Sequence, residues 1–493
     1  MNYSLVARLL SLVLGSVALA LLLSVGVGLL YYENAADAAA LKPFLISVLI
    51  AAFLALGFNS LGHKGDLKRI YHKEALCVIG ASWLLAAVVG ALPYFLILPD
   101  CSFIDALFES ASGLTTTGAS VFTNLESFPY SLMFWRCMSQ WIGGLGVVVF
   151  FVVILSSLGA GAKILFSGES SGGSAEFDQS RIQSGVWSLI LLYLALSALC
   201  AITLKLLGMN LYEAVCHTFT TVSTAGFSTR SSSIGAFKNP AIEWALVIFM
   251  ILGATNFPVM IRLLFRRDTS ALRSSTEIHV YYSLIAAAIG LVMLLLVRSG
   301  SEGPIGETLR HVVFQVVSIM TTTGFTTVDY DSWPMPVHVL LLALMVVGGS
   351  SGSTAGGLKI VRLLVVLRLC AFHIERAFRT HVVRPLTVNA RPLAPAAAEN
   401  VLLYLILSLL VCFGSILIVA FLQPDMSFEG VIATVLAHLF NIGPGFAEGG
   451  PTQTYAFLHG TTKLWLTLLM ILGRLELYAI LVFFIPAFWK SFE

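Results

Sequence analysis

The feature that most restricts this chain is a series of apolar runs of about 20 residues, the length a helix needs to cross a hydrocarbon layer about 30 Å thick. They recur from one end of the sequence to the other. Hydrophobic residues make up 58% of the chain and charged residues only 11%, whereas soluble domains carry about 25% charged residues. The fold expected is therefore all-α and polytopic in a membrane. The run from Leu9 to Leu30 exceeds a signal-peptide core and lacks a clear small-residue cleavage site, so it reads as the first membrane helix. A net charge of +2 gives no reason to expect nucleic acid. The seven cysteines lie mostly in apolar surroundings without a CxxC pair. They read as small core residues, not as metal ligands or a disulfide framework.

The runs are organised. Helices near 5–30 and 41–62 form an N-terminal hairpin, closed by the basic loop His63–Glu74, which gives a first unit of 1–74. A cassette follows: a long helix at 75–98, a short segment Phe103–Thr115, a Thr/Gly stretch, and a long helix at 131–160. The short segment cannot cross a bilayer, so it reads as a re-entrant half-helix, and the non-helical stretch after it must be buried in protein or line a watery cavity. The pattern recurs with helices near 184–207 and 240–265 around His217–Phe227, then 277–298 and 336–370 around Phe314–Phe325. The last copy has helices near 398–422 and 460–489 around Val431–Phe446. The units expected are 75–165, 166–275, 276–395 and 396–493.

The stretches at the cassette centres are related: LTTTGAS at Gly118, STAGFST at Gly226, SIMTTTGFTT at Gly324 and FNIGPGF at Gly445, spaced by 108, 98 and 121 residues. Each alone is an ordinary glycine-stopped helix end; four at a near-regular interval suggest one unit repeated. A pore for a bare monovalent cation must replace the ion's hydration shell, which a ring of backbone carbonyls can do. Aiming successive carbonyls at one axis takes backbone angles that cost glycine nothing. Threonine hydroxyls add ligands, and a half-helix directs the negative end of its dipole at the ion. The candidate lining residues are Thr116, Thr117 and Gly118; Thr224, Ala225 and Gly226; Thr322, Thr323 and Gly324; and Asn441, Ile442, Gly443 and Gly445. Potassium would be held at Thr116, Thr117, Thr224, Thr322 and Thr323. The third copy fits best. The fourth, with Gly443–Pro444 before its assigned glycine, is the most divergent, so the pore is only pseudo-fourfold. Glu109, His217 and Gln315 each lie nine positions before their glycine, with Leu436 there in the fourth copy. This register suggests packing behind the loops, not ion ligation.

Lysine and arginine concentrate in cytoplasmic loops. Lys64–Lys73, Lys163–Arg181, Arg262–Arg273 and Lys359–Arg391 hold 17 of the 28 basic residues. Those segments should be cytoplasmic, and the stretches after each glycine should face outward.

Two further features stand out. GGSSGSTAGG, from Gly348 to Gly357, interrupts what should be one long helix. It is either a glycine kink or packing face, or an irregular loop below the pore, small enough to move aside. GxxxxGK[ST] is not met there and no strand precedes it, so nucleotide binding is set aside. Arg474 lies midway along the last apolar run, where a charge is expensive and faces a cavity or a partner. Glu476 is no obvious partner, because residues two apart point to different sides of a helix. An arginine facing the pore would repel a cation by about 4 kcal/mol at about 4 Å with an effective dielectric near 20.

Helix, half-helix, TTTG-like loop and helix, repeated four times after an N-terminal hairpin, resemble the Trk/Ktr/HKT superfamily of potassium transporters. GGLGVVVF (Gly143–Phe150), GGSSGSTAGGLK (Gly348–Lys359) and LGRLELY (Leu472–Tyr478) make the chain similar to the Trk-type membrane subunit over essentially its whole length. The resemblance implies an N-terminal hairpin plus four helix–pore helix–helix repeats, with filter glycines at Gly118, Gly226, Gly324 and Gly445. Glycine at all four is the potassium-selective pattern, while serine at the first would raise sodium transport. It also implies a gate formed by Gly348, Gly349, Ser350, Gly352, Ser353, Gly356 and Gly357 with Arg474 beside it. The setting implied is a bacterial inner membrane, with a homodimer and a cytosolic nucleotide-binding regulatory ring of the TrkA type. Ser167–Ser174 and Lys359–Arg391 are the docking surfaces expected. Gated, passive potassium permeation is the function expected. An ion-coupled potassium symporter is the alternative, against which the fourfold parallel recurrence of half-helices counts. A membrane enzyme would need clustered His, Asp or Glu, and the ten histidines show no HExxH array.

Overall fold

In the computed structural model, which describes residues 1–62, 72–157, 179–300, 303–379, 387–388 and 391–490, two long apolar helices lead. α1 (Tyr3–Leu30) and α2 (Ala35–Leu61) start at Asn2 and Asn34, whose side chains accept from Leu5 N and Ala36 N. These caps satisfy backbone donors that the first turn leaves free. The two helices pack on each other and α1 also rests on α3 (His72–Ile97).

After α3 come α4 (Phe103–Leu114) and α5 (Tyr130–Ser157), then α6 (Gln179–Leu206), α7 (Leu211–Val222), α8 (Pro240–Gly253) and α9 (Phe257–Arg266). A short α10 (Ser270–Ser274) leads to α11 (Thr276–Ser299), α12 (Ile305–Met320), α13 (Met335–Val347) and α14 (Ile360–Phe378). Then come α15 (Pro395–Leu422), α16 (Phe428–Leu439), α17 (Gly460–Arg474), and the brief α18 (Tyr478–Leu481) and α19 (Pro486–Trp489). Thr387–Val388 and Arg391–Pro392 form the only strand pairing among the described residues. The loop Ser167–Ser174 and most of the basic loop before α3 lie outside them.

Six helices, α1, α2, α3, α6, α11 and α15, are long and apolar enough to cross a membrane; two bent pairs raise the number to as many as eight among the described residues. Four others are too short. α4, α7 and α16 have 12 residues each and α12 has 16, so at 1.5 Å per residue the shortest reach about 18 Å. Three of them start on a capping side chain: Ser102 to Asp105 N, Asn210 to Glu213 N and Ser427 to Gly430 N. All four carry an acidic residue in the first turn, Asp105, Glu213, Glu307 or Glu429, which complements the positive end of the helix dipole.

Each short helix is held between two of the helices that follow short ones. α5 packs on α4 and α7, α8 on α7 and α12, α13 on α12 and α16, and α17 on α16 and α4. The last contact returns to the first short helix. The four form a closed ring.

Two helices expected to be continuous are broken. The segment 240–265 divides at Ala254–Asn256 with a bend of 99°, and the segment beginning at 460 divides after Arg474 with a bend of 118°. Asn256 accepts from Val259 N and Pro258 follows in the first turn, so a new helix starts there. The second break has no such signature: Glu476 and Leu477 adopt positive φ of 54° and 65°. Arg474 therefore ends a helix instead of lying midway along one.

Candidate functional site

The C-terminal ends of the four short helices meet in one place and unwind in one way. In α4, Ser112 O accepts from both Thr117 N and Gly118 N; in α7, Thr220 O accepts from Ala225 N and Gly226 N. In α12, Ser318 O takes Thr323 N and Gly324 N, and in α16, Ala437 O takes Ile442 N and Gly443 N. Two residues of each loop are left-handed. Thr116, Thr224, Thr322 and Asn441 have φ of 53°, 51°, 56° and 56°, and Gly118, Gly226, Gly324 and Gly443 have 82°, 80°, 79° and 99°. A non-glycine residue in this region costs about 1–3 kcal/mol and persists where its surroundings impose it. Four such residues at one register are a built feature.

This register corrects the fourth copy. Gly443, not Gly445, corresponds to Gly118, Gly226 and Gly324. Gly445 sits behind the ring, its N–H donating to Gly449 O and its Cα facing the backbone of Ala433 in α16. The position nine before the fourth glycine is accordingly Thr434, not Leu436.

The four glycines touch in cyclic order. A Cβ on Gly118 would overlap Ala225 O, one on Gly226 would overlap Thr323 O, and one on Gly324 would overlap Ile442 O. A Cβ on Gly443 would lie 2.6 Å from Thr117 O, which closes the circuit. All four line the floor of one cavity of about 500 Å³, whose walls include Arg136, Arg230, Asp329 and Tyr455.

Sequence reasoning missed most of what braces the ring. Arg136 and Glu109 form an ion pair at 2.6 Å, with side chains 2% and 0% exposed. Glu109 also accepts from Ser120 Oγ and Val121 N, while Arg136 donates to Ser228 O and stacks 3.5 Å from the centre of the Phe227 ring. Gln140 bridges to the second loop, donating to Ala225 O at 2.7 Å and accepting from Phe227 N at 3.0 Å. An arginine and a glutamine inside an apolar helix were the available signal. His217 and Gln315 pack behind their loops, bonded to Ser228 Oγ and Thr327 Oγ1. Asn441 Nδ2 donates to Thr117 Oγ1 and to Met470 O.

The Gly348–Lys359 segment lies against the helix-end side of this ring. Gly348, Gly352 and Gly357 are left-handed, with φ of 71°, 66° and 78°. Gly348 and Gly357 meet backbone to backbone, so a Cβ on either would overlap the other's Cα, and the segment doubles back on itself. Ser350 N donates to Ala254 O and Gly357 N to Phe440 O, Ser353 Oγ donates to Ser350 O and Ser351 N to Glu277 Oε1 at 2.6 Å. Gly349 packs on Ala254. Gly356 N donates to Thr322 Oγ1 at 2.6 Å, and Thr354 Oγ1 donates to Val222 O and Gly253 O. Arg474, 6% exposed, donates to Thr354 O at 2.8 Å and to Gly143 O at 3.4 Å. Glu476 pairs with Arg362 at 2.6 Å, and that guanidinium lies 4.1 Å from the centre of the Tyr404 ring. Lys359 donates to Ala355 O. Lys359 and Arg362, at the start of the expected docking segment, are thus engaged with groups of this chain.

Fold and site together define a multi-pass helical membrane protein whose four short helices converge on one ring. The chain belongs to the TrkH family: the family model, described as a cation transport protein, matches residues 44–491. Among curated relatives, the Trk system potassium uptake protein TrkH of Salmonella typhimurium is 32% identical over 94% of this chain and 95% of its own length. The protein of the same name from Vibrio parahaemolyticus is 30% identical over the whole of both chains. The crystal structure of the potassium transporter TrkH from Vibrio parahaemolyticus superposes with a TM-score of 0.89, covering 99% of this chain and 100% of that one at 29% identity.

Proposed function

We propose that this chain takes up potassium through the ring of Gly118, Gly226, Gly324 and Gly443, and that the Gly348–Lys359 loop gates it. The observation that carries the reading is the shared register of the four loops, which sets eight left-handed residues in one closed circuit below a single cavity. Backbone oxygens of the circuit replace the ion's water. The hydroxyls of Thr116, Thr117, Thr224, Thr322 and Thr323 add oxygen, and the four helix C-termini contribute partial negative charge. The relatives named as potassium uptake proteins support potassium as the ion. Arg474 adds a positive charge beside the loop and ties it through Thr354 O.

In this reading the cavity opens outward, the basic loops are cytoplasmic, and the chain works in a bacterial inner membrane as a homodimer on a TrkA-like nucleotide-binding ring. The units 1–74, 75–165, 166–275, 276–395 and 396–493 are its hairpin and four pore repeats. The deciding measurement is the reversal potential of purified protein in proteoliposomes under opposed potassium and sodium gradients. A value that follows potassium and ignores an imposed proton gradient supports gated permeation. One that moves with protons supports a symporter, and none for potassium defeats the proposal.

A further inference from the structure

The loop below the ring is bonded to the ring's own threonines. The layer nearest the helix ends consists of Thr116, Thr224, Thr322 and Asn441, the non-glycine left-handed residues. Asn441 brings no hydroxyl, and its amide is committed to Thr117 Oγ1 and Met470 O. Three hydroxyls remain. Thr322 Oγ1 accepts from Gly356 N at 2.6 Å, whereas Thr224 Oγ1 donates to Ser223 O at 2.7 Å and to Thr354 Oγ1 at 3.2 Å and keeps its lone pairs clear of the loop. A side chain on Gly356 would overlap Phe440 O, so only glycine brings an N–H to that place.

We propose that the loop withholds a ligand as well as obstructing: while closed, its Gly356 N–H occupies the Thr322 hydroxyl oxygen, and the innermost cation site is completed only when the loop leaves. The proposal rests on the reading of the ring as a potassium pathway. A hydroxyl oxygen has two acceptor positions, and an N–H aimed at one of them repels a cation approaching the same oxygen. Loop closure and occupancy of this layer therefore oppose each other, and by reciprocity a bound cation favours the open loop. Losing one hydrogen bond of this kind shifts the closed-to-open ratio about two- to tenfold.

The test is potassium flux against potassium concentration, using the full chain in proteoliposomes at matched protein content. Thr322→Val should raise the maximal flux about two- to tenfold and also raise the half-saturating concentration, because the gate's tether and an ion ligand go together. Thr322→Ser, which keeps the hydroxyl, should restore both values. Thr354→Val removes the loop's hydroxyl contacts to Val222 O, Gly253 O and Thr224 while leaving Thr322 as a ligand, and should raise flux while lowering half-saturation. A merely structural threonine would lose flux in all three. Unchanged half-saturation in both valine variants overturns the inference. If Thr322→Val does not fold, Thr354→Val alone decides, and unchanged or reduced flux there overturns it. Absence of potassium flux in the unaltered protein would defeat the underlying reading instead.

Discussion

At the scale of single residues, the sharpest question is which glycine completes the ring. Gly443 has φ of 99° and no room for a Cβ beside Thr117 O, whereas the nearest atoms to a Cβ on Gly445 are those of Ala433 at 3.3 Å. Gly443→Ala should abolish selective potassium uptake. Gly445→Ala should leave it within about threefold of normal, because a few tenths of an ångström of adjustment suffices. Complementation of a potassium-uptake-deficient host at limiting potassium compares the two, and the reverse ranking would restore the other register. The sequence pointed to Gly445 because FNIGPGF matches the second and third copies in placing a glycine before phenylalanine. What decides the register is the doubled acceptor, Ala437 O, and a side-chain pattern does not display that. Glu109 and Arg136 make a second residue-scale case. Removing one member of a buried pair leaves a stranded charge and costs about 3–5 kcal/mol. Glu109→Ala should therefore lower the midpoint of thermal unfolding in detergent more than the double change with Arg136→Ala does. Equal effects would mean that the pair carries no coupling.

At the scale of elements, three of the four closing helices are interrupted, and the interruptions were unequally legible. The glycine-rich break at Gly348 is plain in composition, and the one at Asn256 is marked by asparagine and proline, a cap signature that an apolar run of normal length concealed. The break after Arg474 has no glycine or proline within it. It is imposed by tertiary contacts: Arg474 reaches Thr354 O, and Glu476 turns away to Arg362. The three breaks serve one another, because Ala254 O and Gly253 O receive the loop from one side and Arg474 from another. Arg474→Ala removes both a charge and a tether, and should raise potassium flux at equal protein content; a lower flux would count against the barrier. Glu277, at the start of α11, accepts Ser351 N from the loop's tip. Glu277→Ala should likewise raise flux in the absence of any activating partner, and Glu277→Gln, which keeps an acceptor oxygen, should do so less.

At the scale of the whole molecule, the ring is closed by contacts between residues more than 300 positions apart. Asn441 reaches Thr117 Oγ1 at 2.9 Å, Lys463 pairs with Asp105 at 2.6 Å, and Tyr455 N donates to Ser120 O. These are late contacts, since long loops must close before they form, and the Asn441–Thr117 and Tyr455–Ser120 contacts border the site proposed for the ion. An ion that bridges loops from all four short helices acts as a further contact across the same seams, so it should stabilise the native state and leave the unfolded chain untouched. At a hundredfold excess over its dissociation constant a single bound ion contributes about 2.7 kcal/mol. Thermal unfolding followed in detergent should therefore show a higher midpoint in potassium chloride than in sodium chloride of equal ionic strength, rising with the logarithm of potassium concentration. Gly443→Ala should remove the potassium increment while the baseline in sodium falls by the strain of the substitution alone. Gly445→Ala should keep the increment. Equal midpoints in the two salts for the unaltered protein would mean that the ring does not discriminate between them, and the assignment of the ring as a selective site would fail.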